Sequence, residues 1–379
     1  MIYKMKLKYS IYLLGALLMT ACSADDGTSG NRADGELPII LQSSMTQMRG
    51  TTESHLTTQG DNQVLVAGQN VDLFLDEDVR TGTTAIYTGQ LLFMKSTAPS
   101  GDAELGTGNF SFFTDAARTA GNEVTRYWPP SGNGLYFYAY HPAGAIAAPV
   151  THTTTTAQTF TVSTAQGTAD GAVPCDLMFG VPNGNPIGTA ATNPVARPTA
   201  LTMAASAVNL HFQHCMSKVV VKIQGDGYGI GNGETGGPES GENAHKNGYD
   251  QYGRDQFTDA TITLGSDVFL QADVTPNSGA ATAKTGGTTG TVTLKNSGVA
   301  NTTHSYYCIL PPAQNITGKT ITLTLKDGGA KTYTIPTTEQ LTAGKAYIYT
   351  VTVGLYSISV TATVGNWTDE TMTPGTLKY

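Results

Sequence analysis

The side chains best suited to metal binding are His211, His214 and Cys215. They lie in a stretch, residues 207–215, that alternates between apolar and polar side chains and therefore predicts a β-strand. Successive side chains of a strand point to opposite faces, so His211 and Cys215 share one face and His214 lies on the other. A zinc site needs ligands that converge on one point, and no second ligand pair follows nearby. We therefore expect no metal site here.

The sequence carries none of the local motifs that mark a catalytic centre. It has no Gly-x-Ser-x-Gly turn, no His-Glu-x-x-His pair, no Cys-x-x-Cys pair and no Walker loop. The acidic run at residues 76–78 lacks the spaced Asp-x-Asp-x-Asp-Gly pattern of a calcium loop, and we interpret it as a solvated turn. A glycosidase needs only two carboxylates brought together by the fold, so a secreted hydrolase stays open as an alternative. Our prediction is a non-enzymatic protein without a cofactor.

Charge and cysteine content limit the partners and the compartment. The formal net charge is −8, with only 13% charged residues, so the clustered Lys and Arg needed to bind nucleic acid are missing. Beyond the N-terminal region three cysteines remain, Cys175, Cys215 and Cys308. An odd number cannot form a complete disulfide framework. Because apolar residues surround them, we expect buried free thiols, and one disulfide pair remains an open alternative.

The N-terminus has the pattern of an export signal, with a basic start, a short apolar run and then small residues ending at Cys22. The apolar run is shorter than the ~20 residues that a helix needs to cross a bilayer. The last five residues of this stretch, Leu18-Met19-Thr20-Ala21-Cys22, resemble the lipobox of bacterial lipoproteins. The resemblance implies that residues 1–21 are removed and that Cys22 is lipidated, which would hold the protein at a membrane surface.

A short apolar strand is predicted over Leu37–Gln42, with Ile39 and Leu41 on one face and Ile40 on the other. Residues 23–36 ahead of it are rich in Asp, Gly, Ser and Asn and offer almost nothing to bury. That composition predicts a flexible tether. The sequence therefore places an isolated strand between a tether and a polar loop.

The densest aromatic cluster is residues 134–142, in which Tyr136, Tyr138 and Tyr140 alternate with apolar residues. An exposed tyrosine ladder could bind sugar by stacking, as in a monomeric surface lipoprotein that recognises glycan. A central strand covered on both faces would show the same pattern, because tyrosine contributes large buried area. We favour the buried strand and keep glycan binding as an alternative.

Short strands at regular spacing, abundant Gly and Thr, and no helical periodicity predict an all-β fold. Residues 22–49 form the tether and first strand. The proline-rich segment 181–198 is the best domain boundary, because proline cannot donate to a β-ladder. We therefore expect one β-sandwich domain over residues 50–200 and a second over residues 201–379. The second carries a glycine-rich insertion at residues 225–256, expected to be a surface loop. Its tyrosines make it the other candidate site for glycan or another ligand.

Several of these features, taken in order, resemble the fimbrillin family, the subunits of type V pili. The resemblance rests on loose motifs whose order is specific. They are the lipobox at Cys22, the strand before Arg49, Tyr127-Trp128-Pro129 with the aromatic strand to Pro142, Asp176-Leu177-Met178-Phe179-Gly180, Val208-x-Leu210-x-Phe212-x-His214 leading to Lys218, Ile309-Leu310-Pro311-Pro312, Gly344-Lys345-x-Tyr347-x-Tyr349 and Trp367.

The resemblance implies two tandem transthyretin-like β-sandwich domains after a lipoprotein signal peptide, and export to the outer membrane as a lipid-anchored precursor. It also implies that an Arg- or Lys-specific protease cuts between Arg49 and Gly50. Arg32 is a rival site, but a cut there would leave the first strand in place. The strand removed by the cut would carry Leu37, Ile39, Ile40 and Leu41.

Removing that strand would open a groove, which a strand from the next subunit would fill. The resemblance thus implies other pilus subunits as partners, a fimbrium on the cell surface, and adhesion to a host or bacterial receptor. The donor segment is left open between Ile358–Val364 and the short polar segment Thr368–Tyr379. Shaft, tip and anchor positions also remain open.

Overall fold

The computed structural model describes residues 37–44 and 56–367, with gaps of which the longest are 98–107, 199–206 and 226–256. Nearly all of its regular structure is β, and one short 3₁₀ helix spans Val173–Cys175. The all-β prediction is therefore confirmed. Within the described residues, no helix has the length and apolar character needed to span a membrane.

The strands are short, as the turn-rich composition predicts. In chain order they are β1 Ile40–Ser44, β2 Leu56–Gln59, β3 Asn62–Leu65, β4 Asn70–Glu77, β5 Gln90–Thr97, β6 Gly108–Phe113, β7 Glu123–Val124, β8 Leu135–His141, β9 Gln158–Thr161, β10 Met178–Pro182, β11 Ala207–His214, β12 Ser217–Gly225, β13 Thr261–Phe269, β14 Gln271–Thr275, β15 Ala280–Ala283, β16 Thr289–Thr293, β17 Lys295–Ala300, β18 Thr303–Leu310, β19 Thr320–Thr324, β20 Ala330–Thr334, β21 Lys345–Val353 and β22 Ile358–Asn366.

The first sheet closes on itself through β1. Its order is β1-β11-β10-β8-β4-β5-β6-β7, and β6 also pairs back with β1. Seven strands therefore form a ring, with β7 attached to β6. The pairing of β1 with β11 is parallel, whereas the neighbouring pairings of β1 with β6 and of β10 with β11 are antiparallel.

The second half of the chain builds a five-stranded sheet, β17-β18-β12-β21-β22, and a four-stranded sheet, β16-β13-β19-β20. The two sheets pack face to face, since Val221 and Ile223 of the first and Ile321 and Leu323 of the second line one small cavity. A three-stranded sheet, β15-β14-β9, and the β2–β3 hairpin complete the described strands. This half is thus a β-sandwich with an added small sheet.

Strand β8 has its two faces in two different hydrophobic cores. Leu135, Phe137 and Ala139 lie in the core inside the ring. Tyr136, Tyr138 and Tyr140 lie in a larger core that continues into the second half of the chain. The predicted central strand covered on both faces is therefore confirmed, and the alternative of an exposed tyrosine ladder is excluded because Tyr138 and Tyr140 are fully buried.

The sheets do not divide at residue 200. Strand β11 follows that position yet pairs with β10 and β1 in the first sheet, and β9 precedes it yet pairs with β14. The proline-rich segment 181–198 thus lies between two strands of one sheet. Long surface connections and interdomain linkers share the same proline- and glycine-rich composition, so composition alone does not separate them.

The solvated turn predicted for the acidic run is wrong for two of its residues. Asp76 and Glu77 are buried at the end of β4. The backbone N–H of His152 donates to the Asp76 carboxylate. Glu77 accepts hydrogen bonds from the Ile86 N–H, the Ser131 hydroxyl and the Asn133 amide. Buried carboxylates are stable when such donors replace water.

Candidate assembly groove

The candidate site is the position that β1 and the residues just before it occupy in the ring. Leu37, Ile39, Leu41 and Ser43 point into the core and are 6%, 4%, 2% and 1% exposed. The intervening Ile40 is half-buried, so the alternation predicted from the sequence is confirmed. Burying each large apolar side chain contributes about 1.5–3 kcal/mol to stability. These residues therefore provide most of the free energy that keeps the strand in the ring.

The backbone of this segment is hydrogen-bonded or paired on both sides. Along one side, Ile40–Ser44 run parallel to Ala207–His211 of β11 in continuous register. On the other side, the Ile39 N–H donates to the Arg126 carbonyl at 2.7 Å, and the Trp128 N–H donates to the Leu37 carbonyl at 2.8 Å. Further along, β1 pairs with the start of β6. The segment therefore lies in a groove whose two sides, or walls, are formed by the backbone of other strands and loops.

The groove wall opposite β11 is held in place by the Tyr127-Trp128 pair. Trp128 is 2% exposed and packs edge-on against Phe137, with ring centroids 5.8 Å apart. The Tyr87 hydroxyl donates to the Tyr127 carbonyl at 2.8 Å and fixes the backbone there. In the sequence this aromatic pair served only as a family feature, and its role as a groove wall was missed. Two adjacent aromatic residues before two prolines were the available signal.

Ser43 is the weak point of the interface between β1 and the ring. Its hydroxyl is buried and has no hydrogen-bond partner among the described residues. Its register partners are Leu210 on β11 and Gly108 on β6, so a small side chain lies between an apolar residue and a glycine. The neighbouring Ser44 hydroxyl, by contrast, lies 3.3 Å from His211 Nδ1. Position 43 therefore holds a polar group in a small apolar space.

Other predicted site residues fall outside the described part of the chain. They are Cys22, Arg49, Gly50, residues 226–256 of the insertion and Thr368–Tyr379. The rival donor segment Ile358–Val364 is described and lies in β22, at the edge of the five-stranded sheet. The lipidation, cleavage and strand-removal predictions therefore stay predictions.

The structure does not bring His211, His214 and Cys215 together as ligands. The His214 ring bonds through Nδ1 to the Asp176 carboxylate at 2.8 Å and stacks on Trp367 with centroids 4.1 Å apart. His211 lies beside Ser44. Among the described residues, no group of three His, Cys, Asp or Glu side chains could hold a metal ion.

The three cysteines beyond the N-terminal region are free and buried, as expected from their apolar neighbours. Burial raises the pKa of the Cys175 thiol to about 11. Burial also raises the pKa of the Cys215 and Cys308 thiols. Thiols of this kind are unreactive at neutral pH, because the thiolate is the nucleophile and the metal ligand.

The geometry supports strand binding as the chemistry of the site. Without residues 37–44, the β11 edge and the carbonyl and N–H groups at Arg126 and Trp128 would lose their partners. The apolar interior of the ring would face solvent at the same place. An extended peptide with apolar residues at alternate positions satisfies both needs at once.

Comparisons with known proteins agree with this architecture. A family model described as fimbrillin-like matches residues 91–367. A candidate cell adhesion protein from Bacteroides ovatus ATCC 8483 aligns with a TM-score of 0.55 and 18% identity over 90% of this chain and 100% of its own. Another candidate cell adhesion protein, from Bacteroides uniformis ATCC 8492, aligns with a TM-score of 0.52 and 17% identity over 89% of this chain and 100% of its own. Identities this low establish a shared fold. No curated protein sequence matches the chain.

Proposed function

The chain belongs to the fimbrillin-like family, a family of structural, non-enzymatic proteins, and from this we propose that it is a subunit of a cell-surface type V pilus. In this proposal the protein is exported as a lipoprotein and cleaved after Arg49. It then polymerises by donor-strand exchange and supports adhesion. Its partners are other pilus subunits, an Arg- or Lys-specific protease and a surface receptor.

The observation that carries the proposal is the position of β1. One short strand at the N-terminal end of the described chain closes a ring whose other six strands come from later in the sequence. Because the sequence predicts a flexible tether before β1 and a polar loop after it, we expect β1 to leave the ring without unthreading any other strand. Its departure would expose a strand edge and an apolar interior together, and repeated filling by a neighbouring subunit gives a fibre.

Arg49 is well placed in the sequence for the proposed cut. It lies between the end of β1 at Ser44 and the start of β2 at Leu56. A cut there separates all the buried residues of the first strand from the rest of the chain. A cut at Arg32 would leave those residues attached, since the buried segment begins at Leu37. Arg49 is therefore the productive site in this proposal.

Lipidation of Cys22 fits the same scheme. The lipid would hold the precursor at the outer membrane while its own first strand occupies the groove. Cleavage after Arg49 would release the lipid-bearing segment and the strand in one step, and the subunit would pass into the fimbrium. Loss of the anchor and gain of assembly competence would then be a single event.

An assembly assay tests the proposal. The purified precursor is trimmed with an Arg-specific protease and analysed by SDS electrophoresis without boiling. We expect a ladder of SDS-resistant oligomers from the wild type and from Arg32→Ala, and monomers only from Arg49→Ala. A trimmed wild-type protein that stays monomeric would contradict the proposal. It would favour the alternative of a monomeric surface lipoprotein, whose glycan site could not be the buried Tyr138–Tyr140 face.

A further inference from the structure

The outward face of the four-stranded sheet β16-β13-β19-β20 is made almost entirely of threonine. The inward residues of these strands, among them Ile262, Ile321 and Leu323, are buried in the core, so the alternate residues point to the other side. Those outward side chains are half-buried or exposed. They are Thr261 and Thr263 of β13, Thr291 and Thr293 of β16, Thr320, Thr322 and Thr324 of β19, and Ala330, Thr332 and Thr334 of β20. We call this surface the threonine face.

The pairing of the strands places these threonines in rows. Thr293, Thr263, Thr322 and Thr332 are register partners in turn, so one row crosses all four strands. The next row joins two threonines to Ala330 in the same way. Because neighbouring strands lie about 4.8 Å apart, the rows form a continuous surface of methyl and hydroxyl groups.

No charged side chain of these four strands belongs to the threonine face. Their two charged residues are Asp267 and Lys331. Asp267 lies beyond the register shift in β13, and its Oδ2 is 2.5 Å from Lys319 Nζ. Lys331 alternates with the outward residues of β20 and lines the small inner cavity with Ile321. The whole chain has a formal net charge of −8, so copies of it repel one another in general. The threonine face is a surface where a second copy meets no local charge.

The other two sheets of this half do not share that property. In the five-stranded sheet, Thr350 of β21 has Lys222 of β12 as its register partner. In the three-stranded sheet, Thr282 of β15 is the register partner of Asp273, whose carboxylate lies 3.3 Å from Lys284 Nζ. Threonine is thus common in all three sheets, and the four-stranded sheet presents it without charged neighbours.

Threonine is a suitable partner for its own kind. A surface built from one residue type can bind a second copy of itself only if that residue type is self-complementary. The threonine hydroxyl both donates and accepts hydrogen bonds, and its methyl group packs against another methyl group. A surface of carboxylates or of ammonium groups fails this requirement, because like charges repel. The branched side chain is also stiff at χ1, so little rotamer entropy is lost when it is covered. The threonine face therefore fits a second copy of this chain.

The size of the threonine face limits how strongly one pair of copies can bind. Four strands about 4.8 Å apart, each about five residues long at about 3.4 Å per residue, cover roughly 300 Å². A stable interface buries about 800 Å² on each partner, so one pair of faces is too small to hold two free subunits together. Repetition removes this limit, because each further contact between two linked arrays is intramolecular and gains from a high effective concentration.

We propose that the threonine face binds the same face of a second copy of this chain, and that its repetition along a fibre holds two fibres side by side. The lateral role rests on the proposed function, because a polymer is needed to present the face many times. Self-recognition of the face does not rest on it and can be tested on an artificial array.

Beads that carry the uncut chain test self-recognition without any strand exchange. The chain from Ser23 onward is attached at high density through a C-terminal biotin to streptavidin-coated beads, and clustering is followed by microscopy. We expect wild-type beads to cluster. Beads with Thr261→Lys and Thr332→Lys, or with Thr261→Glu and Thr332→Glu, should cluster at least tenfold less. Both positions are exposed and their strands are separated by β19, so the two new charges are not neighbours in the sheet.

Mixing the two charged variants tests whether the threonine face binds itself. Lys-bearing and Glu-bearing beads of different colours should cluster with each other, because opposite charges then meet across the contact. The matched controls carry Thr161→Lys and Thr282→Lys, or the corresponding Glu changes, at exposed positions of the three-stranded sheet, and each should cluster as the wild type does. The melting temperature of every variant is measured first, so that a folding defect is recognised. Wild-type beads that stay apart, face variants that cluster normally, or a mixture that does not associate would each overturn the self-recognition.

Electron microscopy of the trimmed chain tests the lateral role. Wild-type fibres should lie in bundles, whereas fibres of the Thr261→Lys, Thr332→Lys chain should be single while giving the same ladder of SDS-resistant oligomers. Bundles formed equally by this variant would overturn the lateral role and leave the pilus proposal standing. If the trimmed wild-type chain forms no polymer, the pilus proposal falls and the lateral role falls with it, and the bead experiment still decides the self-recognition.

Discussion

Ser43 places a hydroxyl in the ring without giving it a partner among the described residues. A buried unsatisfied hydroxyl is destabilising by about 1–3 kcal/mol, so Ser43→Ala should raise the free energy of unfolding of the uncut chain by about 1 kcal/mol. Ser44→Ala is the matched control and should lower it, because the Ser44 hydroxyl lies 3.3 Å from His211 Nδ1. Urea denaturation of the two variants measures both effects. A loss of stability in Ser43→Ala equal to that in Ser44→Ala would contradict the argument.

Glu77 should make stability depend on acid pH. Burial by itself would raise the pKa of its carboxyl, but hydrogen bonds from the Ile86 N–H, the Asn133 amide and the Ser131 hydroxyl outweigh burial and lower it. A folded-state pKa below the unfolded value, about 4.3, means that the stabilisation is complete above that pH and is lost as the pH falls through the folded-state pKa.

The Glu77→Gln variant isolates this contribution. Its deficit in unfolding free energy relative to wild type should be constant above about pH 5 and should shrink below about pH 4, because the wild-type carboxyl is then protonated as well. Urea midpoints for both proteins at several pH values give the difference. A deficit that stays constant down to pH 3 would show that the Glu77 charge contributes nothing.

The elements show which parts of the fold the sequence could predict. Alternation along residues 37–42 and along β8 was enough to identify both strands and their buried faces. The partner of β1 could not be found in this way, because β11 lies far along the chain and alternation says nothing about pairing. The buried Asp76 and Glu77 were missed for a related reason. Their donors come from loops that only the folded chain brings to the end of β4.

The C-terminal end of β22 is fastened by Trp367. Its ring is 5% exposed and lies parallel to His214, and Lys218 Nζ is 5.8 Å from its centroid. His214 is itself bonded to the buried Asp176. Residues from the ring and from the sandwich thus hold one end of an edge strand. The opening of this end should therefore depend on the packing of the Trp367 ring.

Trp367→Ala should accordingly speed amide hydrogen exchange in β22 at least tenfold while changing β21 less, because β21 remains paired with β12. Trp367→Phe keeps an aromatic ring against His214 and should have a smaller effect. Truncating a buried tryptophan also lowers global stability by about 3–5 kcal/mol, so exchange is compared between the two strands within each variant. Equal acceleration in β21 and β22 would contradict a local fastening role.

In the whole molecule, the ring and the sandwich share one continuous core. Tyr136, Tyr138 and Tyr140 on the outer face of the ring belong to the same cluster as Val219, Ile262 and Ile348 of the second half. The turn after β14 locks the two parts together, since the Tyr140 hydroxyl donates to the Pro276 carbonyl and the Asn277 amide donates to the His152 carbonyl. We therefore expect residues 37–367 of the uncut chain to unfold in one cooperative transition.

Gly279 is the closely packed residue of the turn after β14, which joins the ring to the sandwich. Its φ of +65° is a left-handed conformation, and a Cβ added there would come within 2.5 Å of the Phe179 ring. Gly286 has a φ of +71° but open space around it, so it serves as the matched control. Each Gly→Ala change costs about 1–2 kcal/mol for the backbone conformation. Gly279→Ala adds about 1–3 kcal/mol for overpacking against Phe179, so urea denaturation should show the larger loss for Gly279→Ala. Equal losses of unfolding free energy in the two variants would mean that the turn after β14 can shift without strain and does not hold the ring against the sandwich.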